Sequence, residues 1–396
     1  MLRPVTSPSG REPLSVYLHW PFCGAKCPYC DFNSHVRPLV EEDRWVNATM
    51  TALDYWHGQY PDREIRTIFW GGGTPSLMTP ASVERVLDHI AKRWSVAADC
   101  EITLEANPTT HEIERFEGFR AAGVNRLSVG IQSFEQAALD FLGRTYSVAE
   151  AERALGHIAE TFPRFSFDLI YALPGQTPDG WERQLQHALR FAGKHLSLYQ
   201  LTFEPGTRFF QWMLSGKIAP LDDETAVILY ELTVERLQER GLALYEISNF
   251  AAPGEESRHN TVYWTGGDWI GAGPGAHGRI GSAPGRLATA EWRSPEKWLR
   301  QVQNTNMGCE TAKTMSVEET VEELVLTGLR LTSGINYAQF QSVSGVPFAS
   351  VINRSDVADL VLNDLAIEGQ DHFRLTPGGR HLLDSIVRFL LARHKG

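Results

Sequence analysis

Cysteine is scarce in this chain, with five in 396 residues. That is far too few for a fold stapled by disulfides. Basic charge is also short: Lys and Arg number 37 against 48 Asp and Glu, for a net charge of −11. Such a balance argues against a whole-chain electrostatic grip on nucleic acid. No apolar run reaches roughly eighteen residues, so no membrane-spanning helix is predicted. Residues 1–13 are polar, with Pro, Ser and Gly and no apolar stretch. They read as a flexible start rather than a secretory signal. Free thiols in such a chain fit a reducing cytoplasm. What remains is ordinary for a soluble globular protein, at 42% hydrophobic and 21% charged residues.

The scarcity makes the placement of the cysteines informative. Three of the five, Cys23, Cys27 and Cys30, fall within one short loop, Trp20-Pro-Phe-Cys-Gly-Ala-Lys-Cys-Pro-Tyr-Cys-Asp-Phe32. Thiolates hold soft centres such as iron–sulfur clusters and zinc. An iron–sulfur cube usually takes four cysteines, one per iron. This loop offers three, and position 32, where a fourth would follow, is Phe. A cube held by three thiolates leaves one iron without a protein ligand, and an open coordination position is how a metal site admits a small molecule. The rival reading is a structural zinc with Asp31, His35 or His19 as the fourth ligand. Cys100 and Cys309 stand alone and are expected to be buried small apolar residues.

Short β-branched or aromatic runs recur along the first half, at 15–19, 66–70, 101–105, 126–131, 166–171 and 197–202. Amphipathic helix-length stretches separate them, at 41–57, 80–94, 111–122, 147–161 and 178–192. Strand alternating with helix predicts parallel strands joined by right-handed crossovers. Six units over 14–205 predict a partial (β/α)6 barrel of TIM type, two short of closure, with a lateral gap that something else must cover. Residues 206–312 differ in character and are expected to complete the barrel and carry a substrate loop. They hold a helix over 221–240 ended by Gly241, and a loop at 257–264. The glycine-rich run at 269–279 is expected to be flexible and to contact substrate. From 313 to 396, helix, short strand, turn and closing helix predict a small, mostly helical module of winged-helix kind.

Polar residues fall at the C-terminal ends of the predicted strands, where a barrel places its chemistry. The second strand runs into Gly71-Gly72-Gly73-Thr74-Pro75, the third into Glu105-Ala-Asn107-Pro108, the fourth into Gly130-Ile-Gln132-Ser133, and the fifth carries Asp168. Each alone is consistent with a tight turn or a helix cap. With the first strand, which runs into the cysteine loop, that makes five successive strand ends, and together they point to one binding site. Gly73 is expected to let the backbone approach a ligand, having no Cβ.

The C-x3-C-x2-C spacing at 23–30 is that of the radical S-adenosylmethionine superfamily. Joined to 71–75, 105–108, 123–134 and 168–177, and continued by Leu-Thr-Phe-Glu-Pro-Gly-Thr at 201–207 and Tyr-Glu-Ile-Ser-Asn-Phe at 245–250, it resembles the oxygen-independent coproporphyrinogen oxidase group over most of the chain. Within that group it is similar to the heme-chaperone branch. Phe32 stands where the coproporphyrinogen dehydrogenases carry a fourth cysteine, and His259-Asn260-Thr-Val-Tyr263-Trp264 resembles that branch's heme-binding motif. The resemblance implies a [4Fe–4S] cluster on Cys23, Cys27 and Cys30. It implies S-adenosylmethionine chelating the open iron, contacted by Tyr17, lined by Gly72, Gly73 and Thr74, and completed by Glu105, Gln132, Arg144 and Asp168. It implies heme at the 259–264 motif, with His259 the leading axial ligand; His277 is a weaker alternative from the residues themselves, and Tyr263 and Trp264 fit packing either on a porphyrin face or on the core. The C-terminal module would then be of the type the group carries. The implied partners are heme-acceptor proteins, membrane-bound respiratory proteins among them, and not nucleic acid; monomer and dimer both stay open. The competing functions are coproporphyrinogen decarboxylation through a 5′-deoxyadenosyl radical and, disfavoured by the acidity, radical chemistry on RNA.

Overall fold

The computed structural model describes residues 11–392, so most of the flexible start expected at 1–13 lies outside the described residues. Strand β1 (Pro13–Trp20) is followed by β2 (Glu64–Gly72), β3 (Ser95–Ala106), β4 (Arg126–Gln132), β5 (Arg164–Tyr171) and β6 (His195–Gln200). All five neighbouring pairs are parallel. These strands match the predicted runs: the first five are extended by a residue or more, and the sixth is shifted two residues toward the N-terminus, ending at Gln200 rather than 202. Nearly every residue of β2 is buried, as expected of a parallel strand covered on both faces.

Helices α1 (Glu42–Gln59), α2 (Pro80–Arg93), α3 (Phe116–Ala121), α4 (Val148–Thr161) and α5 (Pro178–Ala188) make the crossovers. Their starts are written in the local sequence. Thr79 caps α2 with Pro80 in its first turn, and Ser147 and Glu150 form a reciprocal capping box on α4. The single helix expected over 111–122 is two pieces, Thr110–Ile113 and α3.

Beyond β6 come α6 (Asp223–Glu239), β7 (Ala243–Glu246), β8 (Asn249–Ala251), α7 (Arg258–Trp264), β9 (Trp269–Ala272), β10 (His277–Ile280), β11 (Leu287–Glu291), α8 (Pro295–Thr305) and β12 (Cys309–Thr314). One sheet results, in the order β12-β11-β10-β9-β1-β2-β3-β4-β5-β6-β8-β7. The gap of the six-stranded barrel is therefore narrowed from both edges, and β9 adds a seventh parallel strand against β1.

Two expectations are corrected here. The stretch at 257–264 is a helix, not a loop, because Ser257 accepts a hydrogen bond from the Asn260 amide and starts the turn. The run at 269–279 is not a flexible loop but a strand, a tight turn and a second strand. Its glycines serve close approach: a Cβ on Gly273 would lie 2.2 Å from the His19 carbonyl oxygen.

Residues from α9 (Val317–Gly328) onward have their own apolar core. A three-stranded sheet joins Ile335–Asn336, His372–Leu375 and Ala366–Glu368. The helix expected over 349–365 is broken at Asn353, which caps a new segment, Arg354–Leu362. Arg330 ties this module to the barrel. It reaches the buried carboxylate of Glu246 at 3.1 Å and lies over the Trp264 ring at 4.4 Å. No helix among the described residues is long and apolar enough to cross a membrane.

Candidate functional site

The cysteine loop follows β1 and is pinned from two sides. Phe22-Cys23 pairs in parallel with His35-Val36, and the amides of Gly73 and Thr74 donate to the carbonyls of Trp20 and Phe22. Gly73 fits this role first. The position of its missing Cβ lies 2.6 Å from the Phe22 carbonyl oxygen, so the close approach is to the loop rather than to a ligand.

Each of the three thiols has a hydrogen-bonding neighbour. Thr74 Oγ1 donates to Cys23 Sγ at 3.5 Å, Arg144 Nη1 to Cys27 Sγ at 3.2 Å, and Ser34 Oγ lies 3.7 Å from Cys30 Sγ. Burial raises the Cys23 and Cys30 pKa values, so thiolates there need these donors or a cationic centre. Among the described residues no three or more His, Cys, Asp or Glu side chains are drawn together around a single ion. A cube spreads its thiolates over several irons, which suits the spaced cysteines better than a zinc does. The zinc alternative also loses His19, whose ring nitrogens contact Tyr17 Oη and the Asn33 carbonyl, both at 3.0 Å. The three sulfurs therefore fit an iron–sulfur cube.

Below the loop lies one cavity of about 2310 Å³, lined by Tyr17, the three cysteines, Gly72, Gly73, Thr74, Glu105, Gln132, Arg144 and Asp168. Every cluster and nucleotide residue predicted from sequence thus faces the same space. It exceeds the roughly 300–1,000 Å³ of an ordinary small-molecule site, and there is room for more than one ligand. The amide of Gly72 donates to Glu105 Oε2 at 3.1 Å. With the Gly73 and Thr74 amides also used, the backbone of this segment has no amide donor left and presents acceptors, which suit an ammonium group, although the Thr74 carbonyl already takes the Leu77 amide.

Gln132 and Arg144 meet over Gly130, where a Cβ would come within 2.6 and 2.8 Å of their side-chain nitrogens. Gln132 itself holds a left-handed backbone, φ 65°, a strained conformation typical of sites where geometry serves function. Arg144 also donates to Asn107 Oδ1 at 2.7 Å, the Gly130 carbonyl at 2.8 Å and Tyr146 Oη at 2.8 Å. Asn107 in turn donates its amide to buried Glu112 at 2.8 Å. Sequence reading did not rank Asn107, Glu112 or Tyr146 as site residues. Asn107 alone carried a signal, as the polar member of Glu-Ala-Asn-Pro.

Two carboxyl groups sit deeper. Burial and the neighbouring Asp168 push Glu105 up to about 8. Burial raises Asp168 to about 6, against a hydrogen bond from Ser197. Asp168 Oδ1 has no partner, so one acceptor remains for a hydroxyl or ammonium donor.

The two histidines differ in availability. His259 is 1% exposed. Its Nδ1 meets Thr67 Oγ1 at 2.7 Å, its Nε2 meets Tyr263 Oη at 2.6 Å, and its ring stacks on Phe69 at 5.1 Å. Burial lowers its pKa to about 3, so it is a neutral ring with both nitrogens engaged. Tyr263, Trp264 and Trp269 line the cavity, as does His277. The His277 ring makes no hydrogen bond among the described residues.

Residues 17–188 match the radical SAM superfamily, and residues 315–382 match the HemN C-terminal domain. The heme chaperone HemW of Escherichia coli (strain K12) is 35% identical over 385 residues, covering 96% of this chain and 98% of its own. The mitochondrial radical S-adenosyl methionine domain-containing protein 1 of Bos taurus is 36% identical over 397 residues, covering 98% and 90%. Among solved structures, coproporphyrinogen III oxidase (HemN) from Escherichia coli, described as a radical SAM enzyme, has a TM-score of 0.82 at 22% identity. It covers 96% of this chain and 90% of that one, a likeness of fold.

Proposed function

The chain belongs to the radical S-adenosylmethionine superfamily and, within it, to the family of the HemW heme chaperones; from this premise we propose that it binds heme and hands it to acceptor proteins. The observation that carries the reading is the aromatic wall of Tyr263, Trp264 and Trp269, which faces the same cavity as the cysteine loop. A flat apolar macrocycle is held by such faces. Phe32, 60% exposed at the cavity rim, stands where a dehydrogenase of this group has its fourth cysteine.

Cys23, Cys27 and Cys30 would hold the cluster, and the carbonyls of the Gly72–Thr74 segment with Glu105, Gln132 and Asp168 would hold S-adenosylmethionine. Bound there, an iron–sulfur cluster with an open iron supplies electrons to the sulfonium. Arg144 would donate its hydrogen bond to the Cys27 sulfur and orient Gln132 across Gly130. For the heme iron we favour His277, whose ring is free, over His259, whose nitrogens are both engaged. His259 would instead fix the Tyr263 hydroxyl. A reducing cytoplasm suits the five free thiols.

The test is anaerobic titration of cluster-loaded protein with heme, followed by absorbance, and then mixing with an apo-hemoprotein. Stoichiometric binding and transfer are expected. Enzyme-like conversion of coproporphyrinogen to protoporphyrinogen would overturn the reading in favour of the dehydrogenase.

A further inference from the structure

Arg126 is the first residue of β4, six positions before Gln132. At about 3.3 Å per residue its backbone lies roughly 20 Å from the cluster end of the barrel. The residue is 3% exposed, yet it lines the cavity. Its guanidinium forms no hydrogen bond or ion pair among the described residues, and Nη2 is buried without a partner.

Several other buried or half-buried arginines among the described residues are paired with carboxylates. Arg66 meets Glu64 and Asp99, Arg164 meets Glu101 and Glu255, and Arg330 meets Glu246. A guanidinium keeps its charge in proteins, and a buried charge without a counterion is strongly unfavourable. Arg126 is close enough to influence Asp168, His195, Tyr245 and His259 electrostatically. It therefore sits on the chamber floor beside the helix that carries Tyr263 and Trp264. A cation without a partner, enclosed and aimed into a ligand-sized space, is built to receive an anion from that space.

We propose that Arg126 is the anion anchor of the cavity and receives a carboxylate of the tetrapyrrole cargo, a heme propionate. The inference rests on the heme reading above. The carboxylate of S-adenosylmethionine is not the occupant, because in this superfamily it chelates the open iron at the opposite end of β4. The fork of the guanidinium matches a carboxylate in two parallel hydrogen bonds, which a lysine cannot reproduce.

The test is a paired titration of anaerobically reconstituted protein with hemin and with hemin dimethyl ester, which has the same macrocycle and no free carboxylate. Unsubstituted protein is expected to bind hemin about 10- to 100-fold more tightly than the ester, the range for a lost charge-assisted hydrogen bond. Arg126→Gln is expected to bring the two affinities together with S-adenosylmethionine binding retained. Should Arg126→Gln not fold, Arg126→Lys keeps the charge and is expected to show a reduced preference. Equal affinities in unsubstituted protein overturn the proposal, as does an undiminished preference in either variant. A loss of S-adenosylmethionine affinity with the hemin preference intact also overturns it. Failure of unsubstituted protein to bind either porphyrin is a different result, and it removes the heme reading itself.

Discussion

Arg144 Nη1 donates a hydrogen bond to Cys27 Sγ across 3.2 Å. A donor aimed at a metal-bound thiolate stabilises the more negative, reduced cluster and raises its potential. Arg144→Met is expected to lower the cluster midpoint potential by on the order of 50 mV, equivalent to about 1 kcal/mol for one electron. An anaerobic redox titration followed by electron paramagnetic resonance measures it. An unchanged potential would show that the contact does not persist in the loaded protein.

Gly73 and Gly24 make a matched pair. A Cβ at Gly73 meets the backbone of Pro21 and Phe22 at 2.8 and 2.6 Å, whereas Gly24 has nothing within 4 Å. Gly73→Ala is expected to displace the cysteine loop and cut reconstituted iron and sulfide at least severalfold. Gly24→Ala is expected to keep the full complement. Iron and labile sulfide assays separate the two.

Glu105 couples stability to pH. Its folded pKa, pushed up to about 8, lies above the ordinary glutamate value of about 4.3. Between those values the folded state holds a proton that the unfolded state has lost, so stability falls as pH rises through that window and levels off above about 8. Glu105→Gln is expected to flatten this dependence and to raise the melting temperature of the ligand-free protein at pH 8 relative to the parent. Thermal unfolding at pH 5, 6.5 and 8 checks the sign, and parallel S-adenosylmethionine titration is expected to show weakened binding.

His259 and His277 are separable by what they cost. His259→Ala removes two hydrogen bonds and a stacked ring from a buried position, and a loss of about 2–4 kcal/mol is expected in denaturant unfolding. His277→Ala is expected to leave stability within about 0.5 kcal/mol, as for an exposed position, and to alter the heme absorbance spectrum. The reverse pattern would return the iron to His259.

The barrel was legible because buried parallel strands read as apolar runs, and β1 to β6 show it. So was the set of residues at their C-terminal ends, since a barrel directs successive strand ends to one mouth. The glycine run at 269–279 misled, because glycine marks both flexible chain and tight backbone contact, and only the position of the His19 carbonyl beside Gly273 distinguishes them. His259 was placed in a loop because a seven-residue helix leaves too little periodicity to read. Arg126 lay within a quoted motif and drew no notice, since lacking a partner is a property of the folded surroundings and not of the string.

The cavity is walled both by Tyr17 of the first strand and by Leu383 and Asp384, which lie far from it in sequence. A polypeptide still emerging from the ribosome cannot assemble that enclosure. A chain cut before Leu383 therefore loses a wall of the site rather than an appendage.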